Sequence, residues 1–205
     1  MKGRLIVLEG GEGSGKSTHS RFVAVWLKRR GRRVIATREP GGSPLAETIR
    51  EVVLARGRDK PDPMTELLLM FAARAAHLHA KIWPALRSGK DVVCDRFVDA
   101  TYAYQGAGRR MPRATIDRLA SLVLGPFRPA LVIVLDIDPV IGMQRVRKRG
   151  TANRFDDEKL AFQRRVRGEY LRRARVEPRR YAVVDASGSV NDVRAQLARV
   201  LENRL

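Results

Sequence analysis

Behind the apolar run Leu5-Ile-Val-Leu-Glu9 the chain reads Gly10-Gly11-Glu12-Gly13-Ser14-Gly15-Lys16-Ser17-Thr18. A strand that runs into such a loop turns successive backbone N–H groups inward toward an anion. The helix that follows aims its positive end at the same point. The glycines let the backbone approach phosphate oxygens with no side chain in the way. Lys16 is then expected to reach the outer phosphates of a nucleotide, and the Ser17 hydroxyl to hold a magnesium ion. The chemistry these residues point to is the binding of nucleotide phosphates, with Gly10 to Thr18 as the ATP-binding stretch.

A second group of candidates is basic. Between Arg145 and Arg180 there are 14 Lys and Arg against 5 Asp and Glu, within a chain of formal net charge +19. The segment Arg145-Val-Arg-Lys-Arg-Gly-Thr-Ala-Asn-Arg154 reads as a glycine-containing, arginine-rich loop between two helices. That suits a lid, spanning about 145–158, which closes over transferring phosphates, excludes water and neutralises developing charge. A nucleic-acid-stimulated ATPase would also use a basic chain. However, 33 of the 41 basic residues are arginines spread from Arg4 to Arg204, and a polyphosphate substrate explains a basic cluster equally well.

These residues need a frame, and the chain supplies alternating strands and helices. Strands are expected at Leu5–Glu9, Arg33–Thr37, Val92–Asp95, Ala130–Asp136 and Tyr181–Asp185. Helices are expected at Lys16–Arg30, Leu45–Arg56, Thr65–Ser88, Val140–Lys148, Lys159–Val176 and Val190–Leu205, with residues 99–125 helical in two pieces split at Gly106–Pro112. This predicts a single α/β domain over 1–205, a doubly wound five-stranded parallel sheet with ligand loops at the strand C-termini. Glu9, Arg38, Asp95, Arg96, Asp136 and Asp185 end strands or follow them, where that architecture forms its crevice. Asp136 and Asp138 read as strand-end turn and cap residues. The lone Cys94 lies in an apolar run and reads as core; with no signal-like leader or membrane span, a cytoplasmic location is expected. His19, His77 and His79 lack metal spacing and read as non-catalytic.

A guanine-reading Asn-Lys-x-Asp motif is missing, which argues against a GTPase switch, and there is no room for the extra domains of a motor. Arg38-Glu-Pro-Gly-Gly42, Phe71-Ala-Ala-Arg74, Asp95-Arg96 and Ala103-Tyr-Gln-Gly106 follow the phosphate-binding loop in that order. Together they resemble thymidylate kinases from about Leu5 to the end of the chain. The resemblance implies transfer of the γ-phosphoryl of ATP to dTMP, a step toward dTTP, with Mg²⁺ as cofactor and a homodimer as the assembly. Another nucleoside-monophosphate kinase is the nearest alternative.

Carried over residue by residue, the resemblance gives Arg96 and Arg38 the dTMP phosphate, Phe71 a stack on thymine, and Arg74 the exocyclic oxygen of the base. Thr101 falls where a polar group reads the base, Tyr104 under the sugar where a ribose 2′-OH would clash, and Gln105 in the same pocket. Glu9 is placed near magnesium and the acceptor phosphate, with Asp95 joining through water. Arg154 is assigned the transition-state charge, beside Lys16, Arg96 and Glu9 as catalytic groups, and Arg145 a stack on adenine. Glu12, a carboxylate inside an anion-binding loop, must turn away from phosphate. With the Arg147–Arg154 cluster it matches the bacterial-type branch, whose arginines come from the lid. Ala100 and Val140 depart from the usual pattern.

Overall fold

The computed structural model describes residues 3–55, 60–150 and 154–205. The described residues form five parallel strands, β1 (Leu5–Glu9), β2 (Val34–Arg38), β3 (Asp91–Asp95), β4 (Leu131–Asp136) and β5 (Tyr181–Asp185), in the spatial order β2-β3-β1-β4-β5. The register sets Leu5 opposite Val92 and Ile6 opposite Leu131. Alternate side chains leave a strand on opposite faces, so one central strand feeds two cores. Leu5 and Val7 join Cys94, Val132 and Val134 on one face, and Ile6 and Leu8 join Val93, Ile133 and Leu135 on the other.

Helices α1 (Lys16–Arg29) and α9 (Val190–Arg204) cover the second face through Val23, Leu27, Leu197 and Leu201. The first face is covered by α3 (Pro63–His77), α6 (Arg113–Leu124) and α8 (Leu160–Val176), through Leu67, Phe71, Ile116 and Tyr170. Helix α2 (Pro44–Leu54) lies against α3, and α7 (Pro139–Arg149) leads toward α8. Strand order puts the crevice between β1 and β3, because the chain leaves these neighbours in opposite directions. The loops that follow them are Gly10–Gly15 and the Asp95-Arg96 turn.

The α/β reading stands, with three differences in helix detail. Helix α3 begins at Pro63 because Asp62 caps it, its side chain accepting from the Met64 and Thr65 N–H groups at 2.8 and 3.1 Å. The expected single helix to Ser88 is interrupted by a wide π-helical turn at Leu78–Ile82 before α4 (Trp83–Arg87). The first piece of 99–125 is a short helix α5 (Val98–Thr101) that widens into a second π-helical stretch, Tyr102–Gly108. Wide turns of this kind collect at functional sites, and hydrophobic spacing does not reveal them. Asp138 caps α7 as expected, accepting from the Val140 N–H at 2.8 Å.

The dense basic stretch is largely committed to the chain itself. Arg167 grips Asp136 with two bonds of 2.7 and 2.8 Å, Arg173 pairs with Asp99, and Arg165 donates to the carbonyls of Ala107 and Gly108.

At the opposite end of the sheet, buried Asp91 accepts from Arg32 at 2.8 and 2.9 Å and from the Arg4 N–H at 2.8 Å. Burial opposes its ionisation, but these bonds and the two guanidinium charges outweigh it and hold Asp91 below the usual carboxylate range. A carboxylate depressed in the folded state stabilises fully above its unfolded pKa, and that stabilisation is lost as pH falls through the folded value. Asp91→Asn is therefore expected to lower the urea midpoint at pH 7. The gap from the parent should close as both are titrated below about pH 4; a gap that stays constant would show that Asp91 acts through packing alone.

Candidate functional site

The loop behind β1 owes its shape to glycine at Gly10, Gly13 and Gly15, which take φ of 144°, 73° and 84°. A Cβ on Gly13 would stand 2.1 Å from the Gly142 carbonyl oxygen, and one on Gly142 would stand 2.3 Å from the Glu12 carbonyl oxygen. The loop thus rests directly on the first turns of α7, and Gly142 is a part of the site that motif spacing does not disclose. Lys16 curls back, Nζ donating to the Gly11 carbonyl at 2.7 Å and to Ser14 Oγ at 3.3 Å. Burial, then the nearby Arg96 charge, lowers its pKa to about 8. Gly142→Ala is expected to cut kcat/KM for ATP by about a hundredfold, since displacements of about 1 Å from a reacting geometry cost that much. A kinetic comparison with the parent at equal folded fraction checks it.

Ser17 Oγ donates to Asp95 Oδ2 at 2.6 Å, which ties the start of α1 to the end of β3. Arg96 follows in a left-handed conformation, φ 69°, forced by its place in the turn. Its Nη2 donates to Glu12 Oε1 at 2.6 Å and to Tyr104 Oη at 2.9 Å, and its Nη1 reaches the Gly10 carbonyl and Tyr170 Oη at 3.3 and 3.2 Å. The Tyr104 hydroxyl also donates to Glu12 Oε1, at 2.8 Å. The carboxylate in the anion loop does turn aside, and Arg96 is what it turns to.

Glu9 is fully buried under this turn. Its Oε1 accepts from the N–H groups of Phe97 and Ala100 at 2.7 and 3.3 Å, and its Oε2 from the Tyr170 hydroxyl at 2.9 Å. Burial, then the Asp99 carboxylate, pushes its pKa up to about 8 against the pull of Arg96 and these bonds. Glu9 thus ties the backbone after β3 to α8 through its two oxygens. Tyr170, which joins α8 to Glu9 and Arg96, was not visible in the sequence because an aromatic at helical spacing reads as core.

A cleft of about 230 Å³ opens beside the loop, lined on its two sides by Lys16, Ser17 and Asp95 and by Arg38, Arg50 and Arg96. Arg38 pairs with Glu47 at 2.8 Å while remaining exposed. Arg50, a residue the motifs passed over, donates to the Pro40 carbonyl at 2.7 Å. Burial, then the charges of Arg38 and Arg96, lowers its pKa. Several cations held this close form an anion site.

The cleft is also lined by Met70, Ala100, Tyr104, Gln105 and Phe155. Arg74, one turn along α3 from Met70, has its side chain fully buried. Its Nε donates to Glu39 Oε2 at 2.8 Å, and its Nη2 donates to the Phe97 carbonyl at 3.1 Å and to Thr101 Oγ1 at 3.0 Å. His77, on the next turn of α3, faces Glu39 Oε1 at 3.2 Å and Thr37 Oγ1 at 2.7 Å. Gly42, at φ 88°, leaves room for that ring, since a Cβ there would sit 2.3 Å from His77 Nε2. Phe71 does not form the cleft wall; it is buried in the core with the Arg74 guanidinium 5.0 Å from its ring centre.

Gln105 Nε2 donates to Glu66 Oε1 at 2.7 Å. Arg74 Nη1 and Gln105 Oε1 are buried atoms with no hydrogen-bond partner among the described residues. Arg154 is not at the phosphate loop: it is buried, its Nη1 paired with Glu66 Oε2 at 2.7 Å and its Nε donating to the Val53 carbonyl. Phe155 beside it meets the Tyr104 ring edge-on at 5.5 Å between centres. Arg145 donates to the carbonyls of Ala186 and Ser187, each at 2.7 Å, and so fixes its guanidinium against the loop before α9.

The loop and the cationic cleft together suit the binding of phosphate groups. Comparison with known proteins gives the family. The family model described as thymidylate kinase matches residues 8–197. A thymidylate kinase from Alcanivorax borkumensis is 50% identical over 98% of this chain and 97% of its own length. One from Pseudomonas syringae pv. tomato is 50% identical over 100% of this chain and 98% of its own. The crystal structure of a thymidylate kinase from Ehrlichia chaffeensis superposes with a TM-score of 0.79 at 31% identity, covering 98% of this chain and all of that one. This chain belongs to the thymidylate kinase family.

Proposed function

We infer that the protein transfers the γ-phosphoryl group of ATP to the phosphate of dTMP, giving dTDP and ADP. The observation that supports this reading best is that two buried atoms, Arg74 Nη1 and Gln105 Oε1, find no hydrogen-bond partner among the described residues, Gln105 being one of those that line the cleft. One is an N–H donor and the other a carbonyl acceptor. Thymine presents a carbonyl oxygen and a ring N–H side by side, which is the complement. Leaving such groups unsatisfied is costly, so a base that lacks either partner is rejected. Tyr104, locked between Glu12 and Arg96, would crowd a ribose 2′-OH.

With dTMP so placed, its phosphate meets Arg96, Arg38 and Arg50, whose guanidinium groups bind and orient it. Gly10 to Thr18 and Lys16 hold the donor phosphates, and Arg145 offers its anchored face to the adenine. An acceptor phosphate oxygen attacks the γ-phosphorus in line as the bond to the ADP oxygen breaks; positioning and charge neutralisation carry the catalysis. The Ser17 hydroxyl and the Asp95 carboxylate are hard oxygen donors side by side and fit a magnesium ion, directly or through water. Magnesium bound with ATP would neutralise charge on its phosphates. Arg154 serves the transition state only by leaving Glu66, and Arg154→Ala should then lower kcat while sparing the KM of ATP.

A homodimer is supported by exposed apolar side chains on α2, α3 and α6. Val52, Met64, Leu68 and Leu122 face outward there, Leu122 being 81% exposed. No helix among the described residues is long and apolar enough to cross a membrane.

Coupled ADP release with ATP and Mg²⁺ tests the whole reading. Marked preference for dTMP over dCMP, dGMP and AMP is expected. Turnover of another monophosphate in its place would overturn the base assignment, and ATP hydrolysis raised only by DNA or RNA would replace the kinase with a nucleic-acid-dependent ATPase.

A further inference from the structure

We propose that Glu66 is a positioning residue which sets base selectivity by fixing the orientation of the Gln105 amide. The inference rests on the dTMP reading above. An amide side chain presents N–H donors on one side and an acceptor oxygen on the other, and in a symmetric environment either can face a ligand. Gln105 is fully buried, and Glu66, on α3, is 1% exposed. A carboxylate only accepts, so at 2.7 Å it draws the Gln105 Nε2 toward itself and sends Oε1 the other way. The Gln105 oxygen has no partner among the described residues, and Gln105 lines the cleft.

Glu66 itself is held by two arginines. Its Oε2 takes Arg154 Nη1 at 2.7 Å and Arg109 Nη2 at 3.3 Å, and its Oε1 takes Arg109 Nε at 3.4 Å beside the shorter bond from Gln105, which together fix the carboxylate rotamer. Gln105 therefore offers an acceptor to the base, and the choice is made on a different helix. Thymine has an N–H at ring position 3, whereas cytosine has a lone pair there and an amino group in place of the neighbouring carbonyl. An outward oxygen welcomes the first and repels the second. Arg74, which only donates, opposes the cytosine amino group independently.

Glu66→Gln is nearly isosteric and removes the constraint, since a glutamine at 66 can either accept from or donate to Gln105. The ratio of kcat/KM for dTMP to that for dCMP is expected to fall by about tenfold or more in this variant, the scale of one relaxed contact in a specificity pocket. The change should appear in the KM of the monophosphate, with the KM of ATP unchanged. Arg109→Ala loosens the carboxylate that orients the amide, so it should lower thermal stability and reduce the dTMP preference less than Glu66→Gln does. In the double variant Glu66→Gln/Gln105→Glu, the residue at 105 again has only acceptor oxygens and the preference should return. That double variant also restores a carboxylate to the cluster if Glu66→Gln folds poorly.

The parent enzyme is assayed first. Parent turnover without a dTMP preference removes the substrate reading and this proposal with it. A dTMP preference in the parent that survives unchanged in Glu66→Gln, or fails to return in the double variant, overturns the role of Glu66 and leaves the substrate reading intact.

Discussion

Arg96→Ala is expected to reduce kcat/KM for dTMP by about a thousandfold or more, on the scale seen when a preorganised charge is removed from a phosphoryl- or acyl-transfer site. Two losses add. The guanidinium that would grip the acceptor phosphate is gone, and Glu12, 2.6 Å from it in the folded protein, loses this counter-charge while its carboxylate stays in the anion loop. Arg96→Lys should recover little, because one ammonium cannot serve Glu12, Tyr104, Tyr170 and a phosphate from a single fork. Adding Glu12→Ala to Arg96→Ala should regain part of the loss by removing the repulsion. Steady-state kinetics with dTMP and ATP varied separately decide it. A double variant no better than Arg96→Ala would refute the view of Glu12 as the internal counterion of Arg96.

Arg74→Ala should carry the largest stability cost of any site substitution, about 3–5 kcal/mol, the range found when one partner of a buried ion pair is deleted. The charge left behind is Glu39, almost fully buried, which would keep its contact with His77 but lose its guanidinium partner. The same change would empty the space beside Phe71 and Phe97, both of which stack on the guanidinium at 5.0 and 5.6 Å. Arg74→Lys separates structure from recognition. Its ammonium can still pair with Glu39 but has no second nitrogen for the base, so stability should return in part while the KM for dTMP stays high. Urea unfolding and dTMP kinetics on both variants test the division; normal dTMP KM in Arg74→Lys would remove Arg74 from the base site.

The strands and the phosphate loop were legible because each is written locally. A buried parallel strand is an apolar run, and a glycine loop before a helix carries its own spacing, as Leu5–Glu9 and Gly10–Lys16 do. What was not legible depends on partners distant in sequence. Glu9 at a strand end invited a metal role, but its partners are Phe97, Ala100 and Tyr170, the last 161 residues away. Phe71 and Arg74 sit three apart on one helix and were expected to share a pocket; instead the guanidinium lies against the ring. Arg50 and Gly142 belong to no motif and matter through placement alone. Arg154 was named from its place in a basic loop, and its contact with Glu66 could not be inferred from either residue's neighbours.

The π-helical stretch Tyr102–Gly108 makes chain length, as distinct from side-chain identity, a requirement of the site. Tyr104 and Gln105, adjacent in sequence, both line the cleft, with Thr101 one turn earlier against Arg74. Each residue of an ordinary helix advances about 100° around the axis. Deleting a single residue inside the stretch would narrow the turn and rotate everything on one side of the cut by about that angle. The tyrosine or the glutamine would then leave the cleft even though every side chain survived. Relatives that keep this pocket should therefore tolerate substitution along Tyr102–Gly108 far better than insertion or deletion.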